Sequence, residues 1–339
     1  MKYGVSLYSY QTALENGKMD LEACLQAMKA LPGKVDGVEV LMYRPGINLS
    51  GYRGLIREAD QGKWHELMAK YDMVPTAYDS ILVADGYSMT AGHWRFTNPS
   101  KDVYEEQMRR LKEDIDFAAS FGFTVMRAPN VYGYYEEVIR DCLLYAREKG
   151  IQVCAEIHAP MTIGDDVVTP YLEMVEKTCP EAGGVIPDFG IFARQLPRPG
   201  KRIALANGAD PELLDQIDAV YAARGDISAL AEEIQGKTTD PAVLSYLRKA
   251  LFAVNDDPEK LKLVAPYIRH VHAKFYEVND QGVEEGIDFE GAIRVLQEIG
   301  YDRYLSTEYE GHSFYPVEDP NEAEQVRRQW ELTYRVLGE

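Results

Sequence analysis

Basic residues are scarce in this 339-residue chain: 36 lysines and arginines face 55 aspartates and glutamates, a formal charge of −19. Binding along a phosphate backbone draws on clustered positive charge, so the balance argues against a nucleic-acid partner. It argues equally against an anionic membrane surface. Long hydrophobic runs are missing too, and no window approaches the ~18 uninterrupted apolar residues of a membrane span. The opening MKYGVSLYSYQ lacks the apolar stretch of a secretion signal and reads directly as a strand. Cysteine is limited to Cys24, Cys142, Cys154 and Cys179 without CxxC spacing, which suits reduced, buried thiols in a cytoplasmic protein. No GxGxxG follows the first strand, so a dinucleotide-binding sheet lacks its usual signature.

What is present is alternation. Short β-branched runs at 3–8, 37–42, 73–79, 124–128, 151–157, 184–188, 268–275 and 303–308 read as strands. Between them, amphipathic stretches near 20–31, 54–71, 101–121, 134–149, 167–178, 289–299 and 320–337 read as helices. In 101–121, Met108, Leu111, Ile115 and Ala118 return at spacings of three and four with charged residues between them, and Phe-Gly at 121–122 supplies a stop. Eight strands alternating with helices imply parallel βαβ units. An open doubly wound sheet satisfies that pattern as well as a closed barrel does. The placement of polar residues favours an α/β fold of the (β/α)8 TIM-barrel type, one catalytic domain over 1–339.

Two segments exceed one β/α unit. After strand six, 190–265 carries an ARQLPRPGKR loop followed by helical patterns around 210–223, 226–235, 240–253 and 257–264, a helical insertion placed to act as a lid or a subunit contact. After strand three, 80–100 (SILVADGYSMTAGHWRFTNPS) reads as an aromatic rim loop.

Four strands end in a metal-type ligand: CAEIHAP in Glu156, VIPDFG in Asp188, HVHAKF in His272 and LSTEYEG in Glu308. A parallel barrel gathers its strand ends at one mouth, so the four are expected to converge there. Three carboxylates and an imidazole suit Mn²⁺, Mg²⁺ or another divalent cation, with positions open for substrate oxygens. Such an ion polarises a carbonyl, and a side chain outside its ligand set must then remove the neighbouring proton. His158, two residues past Glu156 and on the same strand face, is the candidate base. Lys274, two past His272, is placed to donate a hydrogen bond to the developing oxyanion, or else to cover the barrel rim. A metal-free reading leaves Glu156 itself as the base. His65, in a helix, and His93, in a loop, are assigned to structure or surface.

The order and context of EIH, PDFG, HVHAKF and TEYEG resemble the xylose-isomerase-like barrel family of sugar isomerases and epimerases, from GVSLYSY to the last helix. The resemblance implies a divalent ion, often Mn²⁺, on Glu156, Asp188, His272 and Glu308. His158, the PDFG context and the long insertion depart from the ketohexose epimerases and look more like the C-glycoside deglycosidase α-subunit branch. That likeness implies proton abstraction by His158 beside the keto group of a 3-oxo-glucoside and β-elimination of the aglycone. It also implies a smaller β subunit in a hetero-oligomer. Tyr8, Tyr10, Tyr132 and Tyr134 would then flank the aglycone ring, with core packing the alternative for Tyr8. A ketose isomerase or epimerase shares the metal and the first proton transfer. An apurinic-site nuclease of the same barrel family needs more histidine than the six present, and a non-catalytic sugar-binding subunit has no use for four intact ligands.

Overall fold

In the computed structural model the described residues are 1–42, 61–80, 100–128, 135–314 and 321–338. Eight parallel strands run β1 (Lys2–Ser6), β2 (Gly37–Met42), β3 (Val74–Ser80), β4 (Val125–Ala128), β5 (Gln152–Ile157), β6 (Gly183–Pro187), β7 (Val271–Phe275) and β8 (Tyr304–Tyr309). They pair in the order β6-β5-β4-β3-β2-β1-β8-β7. The remaining seam, between β6 and β7, is closed by single bridges at Val185–Ile268 and Asp188–His272. The fold is a (β/α)8 TIM barrel.

Around the barrel lie α1 (Gln11–Glu15), α2 (Leu21–Lys29), α3 (Gln61–Tyr71), α4 (Lys101–Phe121), α5 (Glu136–Lys149) and α6 (Val168–Thr178). Between β6 and β7 come α7 (Arg198–Ala206), α8 (Pro211–Ala222), α9 (Ile227–Lys237), α10 (Pro241–Phe252) and α11 (Leu261–Val264). The outer layer is completed by α12 (Phe289–Glu298) and α13 (Glu322–Leu337). The periodic face of α4 is buried through Met108, Leu111, Ile115, Ala118 and Phe121. Each buried Leu or Ile there contributes about 1.5–3 kcal/mol. The helix stops where Gly122 turns left-handed at φ +84°, a conformation that costs a side-chain-bearing residue dearly.

Strand alternation sorts the side chains. In β5, Val153, Ala155 and Ile157 point outward into the main core, while Cys154 belongs to a small interior cluster with Ala77, Val125 and Ile186. One step further along the interior-facing positions, apolar gives way to polar: Glu39, Asp79, Glu156, Asp188, His272 and Glu308 are all buried. A Cβ on Gly37 would meet the Tyr304 ring at 2.6 Å, so only glycine fits under that tyrosine.

Three boundaries differ from the sequence reading. The first strand ends at Ser6 rather than at residue 8, because Leu7–Tyr10 forms a 3-10 turn. The Ser9 hydroxyl pins that turn to β8, donating to Thr307 O at 3.1 Å and accepting from Tyr309 N at 2.9 Å. In the seventh, Ile268–His270 precede the ladder, since β6 reaches them only through a bridge. The ARQLPRPGKR segment is helical from Arg198. Pro199 sits in the first turn of α7, where its missing N–H costs nothing.

The insertion has a core of its own, built on Leu214, Ile217, Ile234, Val243 and Leu247. It is tied to the mouth side of the barrel. Tyr221 donates to Ala193 O at 3.0 Å, Arg202 pairs both oxygens of Glu277, and Lys249 lies 3.8 Å from the centroid of the Phe314 ring. No helix among the described residues is long and apolar enough to cross a membrane. The rim loop of 80–100, apart from its end residues, lies outside the described residues, as do His93, Tyr132 and Tyr134.

Candidate metal and catalytic centre

Glu156 near the end of β5, Asp188 directly after β6, His272 at the second position of β7 and Glu308 near the end of β8 come to one place. His272 does not end its strand, because β7 begins only at Val271, and His272 stands level with Asp188 and Ser306. His272 Nδ1 lies 2.8 Å from Glu156 Oε1, 3.7 Å from Glu308 Oε2 and 4.0 Å from Asp188 Oδ2. One ligand atom each from Glu156, Asp188 and His272 falls within 4.8 Å of the others. Lys274 reaches into the same cluster, with Nζ 2.8 Å from Asp188 Oδ2, 3.6 Å from Glu308 Oε2 and 3.1 Å from Glu310 Oε2. Lysine and histidine thus neutralise part of a crowded set of acids.

The electrostatics record that crowding. Burial works against ionisation of Glu156, but Arg127 and the His272 hydrogen bond outweigh it and hold the carboxyl well below its usual range. Glu308 goes the other way: burial drives it well up, and Lys274 and His272 only partly offset this. Burial lowers His272, yet Glu39, Glu308 and Glu156 raise it well above an ordinary imidazole. Lys274 is raised likewise, burial being overcome by Asp188 and Glu310. One carboxyl pulled down beside another pushed up is the arrangement expected of acids that share too little positive charge.

The residues fit a divalent cation. The donor set is hard oxygen plus imidazole. Asp188 Oδ2 and Glu308 Oε2 are buried, receive no well-aligned hydrogen bond, and share the single ammonium of Lys274 at 2.8 and 3.6 Å. One lysine among this many buried carboxyl oxygens leaves them short of positive charge, which a divalent cation would supply.

Beneath this set lies a layer that strand patterns alone did not bring forward. Arg127, on β4, donates to Glu156 Oε2 at 2.6 Å and approaches Asp79 Oδ1 at 3.4 Å. Glu39, on β2, lies 2.5 Å from His270 Nε2 and 3.5 Å from His272 Nε2. Burial opposes its ionisation, but His272 and His270 together bring its pKa down to about 2. Asp79 is raised by burial to about 7, with Arg127 restraining the rise and Glu39 adding to it. A charged residue inside an apolar strand, as in GVEV, AYD and VMRA, was the available signal.

His158 stands at the same mouth, half-buried, one turn of the strand pleat beyond Glu156. Its Nδ1 is 2.6 Å from Ala159 O. A carbonyl only accepts, so Nδ1 carries a proton and Nε2 is the nitrogen placed to exchange one with a substrate. The main chain behind it is tied down, with Ile163 N donating to Asp256 Oδ2 at 2.9 Å. Tyr8 also faces the mouth, donating to Glu310 at 3.3 Å and meeting His312 edge-to-face at 4.7 Å. Tyr10 is buried in the main core instead, and His65 is paired with Ser120 O on the outer surface.

No family model matches the chain. The C-glycoside deglycosidase α subunit of Arthrobacter globiformis is 25% identical to it over 356 residues of alignment, covering 100% of this chain and 93% of the relative. The chain is similar to C-glycoside deglycosidase α subunits along its whole length. A 3′-dehydrocarminate deglycosidase α subunit from a Microbacterium species is also 25% identical, over 100% of this chain and 96% of the relative. Among solved structures, that of an L-ribulose 3-epimerase superposes with a TM-score of 0.59 at 13% identity, over 100% of this chain and 95% of that one. That last likeness is one of fold, the barrel of the sugar isomerases and epimerases. With a buried acidic site at the barrel mouth, these relatives mark the chain as an enzyme.

Proposed function

We propose that the chain is the α subunit of a C-glycoside deglycosidase, cleaving 3-oxo-C-glycosides by proton abstraction and β-elimination. The observation that carries this reading is His158, a half-buried imidazole whose Nδ1 is engaged by Ala159 O, which leaves Nε2 as the nitrogen available to a substrate beside a cation-ready acid cluster. Glu156, Asp188, His272 and Glu308 hold the ion, with Mn²⁺ or Mg²⁺ the best match to their donors. When bound there, a divalent cation supplies Lewis acidity toward the keto oxygen of the substrate.

The side chains do the rest. Nε2 of His158 takes the proton from C2, and the C–H electron pair becomes the C2–C3 double bond of the enolate. Lys274 donates a hydrogen bond to the oxygen that gains charge. The enolate then collapses. A C1–C2 double bond forms, the C3 carbonyl returns, and the C1–aglycone bond breaks with its pair leaving on the aglycone carbon. That carbon takes up one proton, which balances the one removed, and His158 returns to its neutral form. Tyr8 offers an aromatic surface to the aglycone. The relatives' designation as α subunits supports a smaller β subunit as partner.

A ketose isomerase or epimerase is the second reading. It is favoured by Glu156 and Glu308, two buried carboxyls either side of His272 Nδ1 at 2.8 and 3.7 Å, which offer an acid and a base for a proton that leaves carbon and returns to it. Incubating the Mn²⁺-loaded protein, with and without a β subunit, on a 3-oxo-C-glucoside and on free ketohexoses separates the two. Release of free aglycone supports the first reading. Ketohexose turnover with no aglycone released, even when the β subunit is supplied, refutes it.

A further inference from the structure

His272 has two nitrogens facing two different sets of acids. Nδ1 looks to the mouth, toward Glu156, Asp188 and Glu308, while Nε2 looks down the barrel toward Glu39 at 3.5 Å and Asp79 at 3.9 Å. Nε2 is buried and makes no hydrogen bond. Facing the Glu39 carboxylate across so short a gap, Nε2 is favoured as N–H, because a lone pair there would be repelled. Nδ1, 2.8 Å from Glu156, is the nitrogen on the ligand side and the one placed to exchange its proton for a cation arriving at the mouth.

Glu39 is what enforces this. Its strand pairs with β1 and β3, so its backbone is fixed. Its Oε2 is gripped by His270 at 2.5 Å, on the same strand as His272 and two residues before it. Its other oxygen, Oε1, is buried with no hydrogen bond. A carboxylate so confined moves little, and it keeps one oxygen between the two imidazoles.

We infer that Glu39 is a positioning residue for the metal centre: held by His270, it fixes the tautomer and ring orientation of His272 so that Nδ1 is the metal-binding nitrogen. Carboxylates placed behind ligand histidines in this way raise the basicity of the ligand and restrict its rotation. Glu39 itself touches neither the acid cluster nor the mouth. The inference rests on the proposed metal site, and its test reads metal binding rather than turnover.

Mn²⁺ affinity is measured on the metal-free full-length protein, with free ion counted by electron paramagnetic resonance. The variants are Glu39→Gln, which keeps the shape and loses the charge, and Glu39→Ala. Leu143→Ala, a core truncation in α5 outside the barrel, controls for general loss of stability, and circular dichroism confirms folding. Both Glu39 variants are expected to bind Mn²⁺ about 10–100-fold more weakly, the usual effect of losing such a partner, while Leu143→Ala binds as the parent does. In ¹⁵N-histidine-labelled protein loaded with Zn²⁺, the parent should show His272 protonated at Nε2, and Glu39→Gln should show that signal shifted or broadened. Parent-like affinity and an unchanged His272 signal in folded Glu39→Gln would overturn the positioning role. A parent protein that binds no Mn²⁺ would overturn the metal site itself, and the positioning role with it.

Discussion

Lys274 is the strongest test of how the acid cluster is held without its ion. Its Nζ lies 2.8, 3.1 and 3.6 Å from oxygens of Asp188, Glu310 and Glu308. At an effective dielectric constant of about 20, unit charges at the first two separations attract by about 6 and 5 kcal/mol, while Glu308, pushed up by burial, adds less. The cost of stripping water from the charged groups cancels most of this, and removing one partner of a buried pair typically costs about 3–5 kcal/mol. No discount for solvent screening applies, since the Lys274 side chain is 4% exposed. Lys274→Met keeps the length and removes the charge. Unfolding a chain of 339 residues carries an entropy of about 0.7 kcal/mol per kelvin, so the loss lowers Tm by about 4–7 °C. The deficit is largest in the metal-free state. Mn²⁺ and the Lys274 ammonium compete for the same oxygens, so the variant should bind the ion more tightly than the parent and, at one fixed Mn²⁺ concentration, gain more stability, which narrows the deficit. Acid should narrow it too, because protonated carboxyls no longer need a cation. The assay is thermal melting of both proteins in chelator, in Mn²⁺ and at acidic pH. If Lys274→Met melts with the parent in chelator, or its deficit is unchanged by Mn²⁺ and by acid, the lysine is not holding the cluster's charge.

Four further outcomes follow from the same geometry. His158→Ala should lower kcat by about 10²–10⁴-fold, the usual share of a general base, while elemental analysis finds the metal content intact. Asp188→Ala should lose bound metal in that same analysis, and activity with it. Cation binding at His272 displaces a proton from an imidazole whose pKa is raised well above normal, so Mn²⁺ affinity should fall as pH falls. Calorimetry in buffers of different ionisation enthalpy should detect that proton. Burial raises Glu284 to about 8, against the opposing hydrogen bond from Ile287 N, so the native state keeps a proton that the unfolded chain has given up above about pH 4.5. Its contribution is therefore present at pH 4 and lost as pH rises toward 8, and Glu284→Gln should flatten that slope in urea titrations at pH 5 and pH 8.5.

The barrel was legible because its signals are local. Every strand was found within a few residues, since short β-branched runs separated by helix-length amphipathic stretches leave little else to build. The same regularity placed Glu156, Asp188 and Glu308 at or just past strand ends; His272 lies at the second position of its strand instead, and the fold's geometry brings the four together. Errors arose where a distant contact decides the outcome. Ser9 turns the chain after Ser6 only because Thr307 and Tyr309 of β8 are there to receive it. The lower polar layer was missed for the same reason. Glu39 and Arg127 lie 117 residues or fewer from Glu156 along the chain but on different strands, and one charged residue in an apolar strand does not announce its partners. Only barrel closure shows that Glu39 meets His270 and Arg127 meets Glu156. A ligand set can thus be read from strand ends one at a time, whereas the groups that orient it become visible only across the barrel. Sequence patterns therefore say more about which atoms could hold an ion than about how tightly they hold it. On the proposed metal site, tightness would be set by Arg127 behind Glu156 and by Glu39 behind His272, the two contacts that hold the inner carboxyl and imidazole in place.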